Sequence, residues 1–438
     1  MERTKKDKKE KEGKPRERKP NWQEYTATVE EIQAFLDGRV MLRYNVVTRR
    51  TECHQLTDFG DEIPEQVLWE PISDRVVNTL WRELSAQKTT RIQDVWRVIE
   101  SDYVPEYDPF KFYLSRLPPW NDSHPDYIME LSLSVNVKGD SDEQILFYEY
   151  LRKWLVAMVA GWVDDTVVNN VMLVLIGEQG SYKTTWFNYL LPPDLKTYFY
   201  TKTNANRMTK DDLLTLSQYG LICCEELDTM RPAELNQLKA AMTMPAVDER
   251  AAYARYHEHR KHIASFCGTG NNVQFLSDST GNRRWLPFEI ESIESPRSSP
   301  FNYEGIYSQA YALYRQGFQY WFSPDDIRHL ARHNEAFETE HSELQLINLH
   351  FRKPVGNEPR ELVSATMALQ VIGGNIAQKL SKEKIGQAFT QLGFEYRRTA
   401  TMRGYIAVHR TGAEMEAYRR QLAANDKEMT DDSMTAVF

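Results

Sequence analysis

Val171, Met172, Leu173, Val174, Leu175 and Ile176 form an unbroken apolar run that stops at Gly177. A short apolar run ended by a turn residue predicts a strand buried on both faces. Glu178, Gln179, Gly180, Ser181 and Tyr182 then turn the chain and deliver Lys183, Thr184 and Thr185 to an amphipathic segment over 186–191. Pro192 and Pro193 end that helix, because proline has no amide donor and restricts the residue before it. Strand, glycine loop, Lys-Thr pair and helix together make a phosphate cradle. The loop amides face a β-phosphate, Lys183 reaches the β/γ oxygens, and the Thr184 hydroxyl holds Mg²⁺. ATP and Mg²⁺ are the ligands this arrangement predicts, with residues 177–185 as the binding loop.

The match to G-x-x-x-x-G-K-[ST] is incomplete. Gly177, Lys183 and Thr184 fall in place, but Tyr182 stands where the second glycine belongs. Glycine there allows a backbone twist that a side chain hinders, and Gly180 is the residue available to absorb the turn instead. The plainer alternative is a glycine-rich strand-to-helix turn with a surface lysine.

Downstream residues favour the nucleotide reading. A second core strand is predicted over 220–224, ending in Glu225, Glu226, Leu227 and Asp228. Carboxylates at the carboxyl end of a core strand are where such enzymes hold Mg²⁺ and polarise water, so Glu225 and Glu226 take those roles. A third strand over 263–267 leads to Gly268, Thr269, Gly270, Asn271 and Asn272, where an amide beside the γ-phosphate would orient the attacking water. Arg283 and Arg284 rise from a Thr-Gly-Asn turn into a further strand over 285–290. Either would serve as an arginine finger on a neighbour's γ-phosphate, the alternative being ordinary ion pairing. Between these elements, 211–216 and 234–242 read as helices. The stretch 247–261 reads as a hairpin exposing Arg250, Arg255, Arg260 and Lys261. His257, His259 and His262 lie near Cys267, but their spacing matches no common zinc pattern.

Composition bounds the rest. The 438 residues suffice for two or three domains. Four scattered cysteines make no paired framework, which fits a reducing cytoplasm. No apolar run approaches the roughly 20 residues of a membrane span, and no signal peptide core opens the sequence. A membrane partner is therefore not expected. The net charge of −9 at pH 7 hides an asymmetry, since residues 1–20 carry ten Lys/Arg against five Asp/Glu. That basic tail predicts disorder and is either a nucleic-acid arm or a solubilising tail. The polar, acidic stretch 425–438 reads as a second disordered tail.

Residues 21–130 read as a separate collar or accessory unit. It has helices over 29–36, 76–84 and 92–99, a hairpin over 40–53 turning near Thr48 and Arg49, and an aromatic, proline-rich connector over 105–120. Its aromatics near Arg43, Arg49 and Arg50 would either stack bases or anchor a structural collar. A long helix over 143–162 leads into the first core strand, and helices are expected over 306–322 and 325–347. Residues 359–410 change character. A helix over 362–372, a second from N-cap Ser381 to Leu392, and a hairpin over 394–408 give the order of a winged helix. Lys382, Lys384, Gln387, Arg397, Arg398 and Arg403 would face DNA, although such modules also bind proteins.

The order of motifs resembles the virulence-associated protein E family of bacterial and phage mobile elements, a family similar to D5-type, superfamily 3 helicase ATPases. The residues that carry the resemblance are Gly177 to Thr185, Glu225 to Asp228, Tyr253 to Arg255, Gly268 to Asn271 and Thr280 to Arg284, with Arg43 to Thr48 and Pro118 to Trp120 before them. The resemblance implies an α/β P-loop, AAA+-like ATPase core over 131–345. Lys183 and Thr184 would bind ATP and Mg²⁺, Glu225 and Glu226 would act as Walker B, and Asn271 as sensor 1. Arg283 and Arg284 would be finger candidates, and the 253–261 region a DNA-contacting hairpin. The implied protein is a DNA helicase or translocase, cytoplasmic in a bacterial cell. It would form a homo-oligomer, in the family a hexameric ring, on single-stranded or forked DNA and work beside a separate primase. An ATP-gated DNA-binding switch with little unwinding is the alternative, and Tyr182 favours it.

Overall fold

The computed structural model describes residues 26–56, 68–202, 210–249, 258–276, 282–338, 342–356, 358–372, 381–400 and 402–420. Both tails, Arg250, Arg255 and the rest of the hairpin tip at 250–257 lie outside the described residues, as do Thr280 and Gly281.

The amino-terminal unit is mixed. Helix α1 (Val29–Asp37) opens on a capping box, in which Thr28 and Glu31 exchange side-chain and backbone hydrogen bonds. Strands β1 (Val40–Asn45) and β2 (Arg50–Gln55) pair antiparallel across a turn whose last residue, Arg49, is left-handed at φ 54°. Next come β3 (Glu70–Pro71), α2 (Asp74–Gln87) and α3 (Ile92–Ile99). The expected connector holds regular structure. It contains β4 (Glu106–Tyr107), parallel to β1, and α4 (Pro109–Ser115). Asp108 starts that helix by accepting from the Phe110 and Lys111 amides, with Pro109 in its first turn.

After α5 (Tyr127–Leu133) and β5 (Val135–Val137), α6 (Ser141–Val163) is the central helix. Its second half is buried all round, including Trp154, Leu155, Met158 and Trp162, as expected of a helix packed on several sides. The indole N–H groups of Trp154 and Trp162 donate to the Phe266 and Gly220 carbonyls at 3.0 and 3.3 Å, which ties α6 to the sheet.

The sheet follows from β6 (Met172–Ile176), the apolar run itself. Helix α7 (Lys183–Leu190) begins three residues earlier than the amphipathic pattern indicated, at the lysine. Then come β7 (Phe199–Lys202), α8 (Lys210–Thr215), β8 (Leu221–Cys224), α9 (Pro232–Met242), β9 (Ala246–Glu249), β10 (Glu258–Lys261), β11 (Ser265–Gly270) and β12 (Trp285–Ile293). Six strands pair in the order β5-β12-β6-β11-β8-β7, and all neighbours are parallel except β5 with β12. Alternation sends Leu173 and Leu175 into the core beneath α6, and Met172, Val174 and Ile176 into a second core on the other face. The third strand lies two residues later than expected, because the Ile263 and Ala264 amides donate to the Leu216 carbonyl before the ladder starts.

The helix expected over 306–322 is α10 (Tyr303–Arg315); it stops before Gly317, which is left-handed at φ 80°. The run over 325–347 is likewise broken into α11 (Pro324–Asn334), a tight turn at 335–337 and α12 (Ser342–His350). The carboxy-terminal unit holds β13 (Phe351–Arg352), β14 (Glu361–Val363), α13 (Ala365–Ile372), α14 (Lys382–Gln391), β15 (Tyr396–Arg398) and β16 (Arg403–His409). Leu362 was expected in a helix and is instead on β14, paired with Ile406, because a sheet partner overrides its helical pattern. Ser381 sits at the N-cap of α14, but its side chain makes no capping hydrogen bond. Mixed α/β architecture thus holds throughout.

Candidate functional site at the carboxyl end of the parallel sheet

Register assembles the site. Gly270 pairs with Ile176 and Gly268 with Cys224, so β6 and β11 end level and β8 two residues before them, all at the same end of the sheet. Gly177, Asn271 and Glu225 therefore emerge side by side, and the Gly177 amide donates to the Gly270 carbonyl at 3.2 Å. Gly177 has no room for a side chain: a Cβ would stand 2.7 Å from Ile290 Cγ1. Beyond it, Glu178, Gln179 and Gly180 are exposed, and the Ser181 hydroxyl donates to the Glu178 carbonyl at 2.7 Å.

Both Gly180 (φ 88°) and Tyr182 (φ 62°) are left-handed. The turn expected to fall on Gly180 alone is shared, and Tyr182 adopts the twist normally given to glycine, as a steric outlier for a bulky residue. The twist aims Lys183 inward. Its ammonium donates to the Gly177 and Glu178 carbonyls at 2.7 and 2.6 Å, with Ser181 Oγ at 3.2 Å and Asn271 Oδ1 at 3.5 Å. Burial pushes the Lys183 pKa below the usual lysine range, and the charges of Asp228 and Glu178 oppose that shift.

Thr184 Oγ1 donates to Glu225 Oε1 at 2.8 Å, so the hydroxyl and carboxylate expected around Mg²⁺ already touch. Thr185 follows, half-buried in α7. Glu226 is exposed and left-handed at φ 55°, and its carbonyl receives the Thr229 amide and hydroxyl. That reversal turns Asp228 back toward the sheet. Its carboxylate accepts from the Asn271 and Asn272 amides at 3.1 and 3.2 Å. Asp228 is the site residue that sequence reasoning missed. It stood in the acidic quartet, but only the left-handed Glu226 decides which acid points inward.

The donor set fits a magnesium nucleotide. A buried ammonium rests on loop carbonyls it can exchange for phosphate oxygens, and a hydroxyl–carboxylate pair suits a hard cation.

Arg283 and Arg284 lie elsewhere. They precede β12, whose first residue Trp285 pairs with Met172 at the start of β6, so they sit at the opposite end of the sheet. Five residues of strand separate the two ends, about 17 Å. The arginines border a cavity of about 280 Å³ with Tyr320, Trp321 and Phe322, and among the described residues neither has a hydrogen bond or ion pair. Burial lowers the Arg284 pKa, and the neighbouring Arg283 charge adds to the effect.

The hairpin over 247–261 forms from β9 and β10, but two of its expected exposed cations are withdrawn. Arg260 is buried, and Lys261 is largely covered and bridges Asp165 at 3.1 Å. The cause is packing of β10 against the body. The Arg49 guanidinium donates to the His259 carbonyl, and the next residues join Leu216. Buried His262 binds the Met244 carbonyl at 2.7 Å, and Cys267 is a buried core thiol. Among the described residues no His, Cys, Asp and Glu group is suited to a metal by itself.

In the amino-terminal unit, Arg43 is sandwiched between Tyr107 and Trp69, with its charge centre 3.6 and 4.2 Å from the ring centroids, and bridges Glu52 at 2.6 Å. Buried Asn45 donates to Glu52 and to the Tyr198 hydroxyl at 2.6 and 2.7 Å. These groups are engaged with each other. Lys382, Lys384, Gln387, Arg397, Arg398 and Arg403 are exposed on α14 and the β15–β16 hairpin. Among the described residues no helix is long and apolar enough to cross a membrane.

Fold and site define a mixed α/β protein whose polar centre lies at the carboxyl ends of parallel strands. Residues 133–339 match the virulence-associated protein E-like domain, and the chain carries that domain, which bears out the resemblance of its motifs. No curated protein matches the sequence. Among solved structures, the chain is similar to an apo structure of the NrS-1 C-terminal region (305–718), with TM-score 0.45 and 13% identity over 86% of this chain and 98% of that one. An A-form apo structure of the same region gives TM-score 0.43 and 14% identity over 73% and 76%.

Proposed function

We infer that the chain is an ATP-hydrolysing DNA motor, a P-loop ATPase of superfamily 3 type acting in replication of a phage or mobile element. One observation carries the reading: Lys183, the Thr184–Glu225 pair and Asn271 meet at the carboxyl ends of three adjacent parallel strands. ATP with Mg²⁺ supplies the scissile γ-phosphate and the cation that neutralises its oxygens. Lys183 would leave the loop carbonyls for the phosphates, and Thr184 and Glu225 would hold the cation between them. Glu226 would take the proton of the attacking water, with Asn271 orienting it. Arg283 and Arg284 are too far along the sheet to act within their own chain, which favours action in trans and a closed head-to-tail ring, a hexamer by analogy with the family.

The domain plan we propose is a collar over 21–130, the ATPase over 131–345 and a winged helix over 359–410 between the two tails. The winged helix would load DNA through Lys382, Lys384, Arg397, Arg398 and Arg403. The hairpin tip, with Arg250 and Arg255, would line the channel, and a separate primase would complete the replication machinery. Tyr182 favours a second reading, an ATP-gated DNA-binding switch, since its strained backbone stands where rapid turnover calls for glycine. ATPase turnover of the full chain with and without single-stranded DNA, alongside unwinding of a forked duplex, tests both. Stimulated hydrolysis with unwinding supports the motor; hydrolysis on DNA without unwinding supports the switch; no hydrolysis removes both.

A further inference from the structure

Tyr182 pairs an unfavourable backbone with an exposed ring. At φ 62° and ψ 12° it is left-handed, which costs a side-chain-bearing residue about 1–2 kcal/mol that glycine avoids. The residue is 45% exposed. Strain at a functional loop persists where something else makes use of it.

The opposite end of the sheet offers a complementary surface. Tyr320, Trp321 and Phe322 wall the cavity beside Arg283 and Arg284, and Trp321 is 55% exposed. Tyr320 meets Trp321 edge-on at 5.3 Å, which leaves the indole as the outer aromatic surface. The charges also match: two arginines without partners among the described residues lie at this end, and Glu178, Glu225, Glu226 and Asp228 lie at the other. Surfaces at opposite ends of one sheet cannot meet within a chain. They meet when copies stack head to tail.

We propose that Tyr182 of one copy seats in the Arg283–Trp321 cavity of the next, its ring against the indole and its hydroxyl accepting from a guanidinium. The contact rests on the trans reading of the two arginines and adds to it a positioning residue. Tyr182 adjoins Lys183, so seating it brings the neighbour's guanidinium groups to the phosphate end of the site. Tyrosine thereby supplies a contact that the usual glycine lacks. Aromatic pairing and cation–π attraction are the forces involved.

The test measures assembly of the full chain by mass photometry and sedimentation with ATPγS and Mg²⁺. Tyr182→Gly and Trp321→Ala should each raise the concentration for half-assembly by about ten- to a hundredfold, the value of one buried aromatic pair. The double variant should be no worse than either single, and Tyr182→Phe should retain most of the assembly. As a second readout, Tyr182→Cys mixed with Trp321→Cys should form an intermolecular disulfide only when both are present, the native cysteines being buried. Wild-type assembly by Tyr182→Gly, additive singles, or no disulfide in the mixture overturns the docking. Arg283→Ala with Arg284→Ala separates the two ideas: unchanged hydrolysis per chain removes the trans arginine, while a disulfide between Tyr182→Cys and Trp321→Cys chains still supports the docking.

Discussion

Asp228 holds the Asn271 segment in place, and removing its carboxylate should cost more in rate than in binding. In Asp228→Ala, two backbone donors, the amides of Asn271 and Asn272, lose a charged acceptor at 3.1 and 3.2 Å. Buried hydrogen bonds to a charge are each worth about 1.5–3 kcal/mol, but Asn271 and Asn272 are exposed and water replaces part of the loss. About 1 kcal/mol per bond, or about 2 kcal/mol together, is the discounted figure. If that energy keeps the Asn271 amide in position at the transition state, single-turnover hydrolysis should fall about 30-fold. Asp228→Asn can still accept one of the two amides and should fall between. A second consequence concerns pH. Burial already lowers the Lys183 pKa and Asp228 opposes the shift, so losing the carboxylate lowers it further. The charged ammonium is lost as pH rises through that pKa; the alkaline limb of ATP binding should therefore move to lower pH in Asp228→Ala. Rapid-quench hydrolysis and ATP titration across pH read both effects. Wild-type single-turnover rates in Asp228→Ala would refute the reasoning, whatever the stability of the variant.

Lys183→Ala removes the only cation among the described residues placed on the loop carbonyls, so hydrolysis should fall to background, while Glu226→Gln should keep ATP binding and lose about a hundredfold or more in turnover. Mixing Arg283→Ala, Arg284→Ala chains with Lys183→Ala chains should restore part of the hydrolysis if the arginines act in trans; activity per chain that is independent of concentration down to a monomer counts against them. Replacing Arg397, Arg398 and Arg403 with alanine should weaken DNA binding and lower its log–log salt slope by about one for each phosphate no longer neutralised, leaving ATPase stimulation intact at saturating DNA. Asp164, held down to about 2 by hydrogen bonds from Thr166 and Tyr314, favours the folded state above its ordinary value of 3.8. That contribution fades as pH falls from about 4 to about 2, so acid unfolding of Asp164→Asn should lack it.

Local patterns were the legible part of this fold. The Val171–Ile176 run, the Ile92–Ile99 helix and the Arg49 turn are set by neighbours in sequence, and each falls within a residue or two of its expected place. Residues whose state depends on distant partners were not legible. Leu362 continues the helical pattern of the residues after it, yet Ile406 draws it into a sheet. Arg260 reads as a solvated cation and is buried, because β10 turns it toward the body. Asp228 reads as the last of four acids, and its inward aim depends on one left-handed residue, Glu226.

The arginine pair shows how far one non-local fact reaches. From sequence, Arg283 and Arg284 follow the Asn271 motif by about a dozen residues, and nothing in that spacing says at which end of the sheet they lie. The direction of β12 decides between them. Because Trp285 pairs with Met172 and Glu289 with Ile176, the strand starts at the end remote from Gly177 and runs toward it. An antiparallel β12 would have put the arginines beside Lys183. A parallel one removes them by the length of the strand, about 17 Å, beyond the span of an arginine side chain. Their lack of partners among the described residues and the aromatic wall beside them are then two properties of one surface.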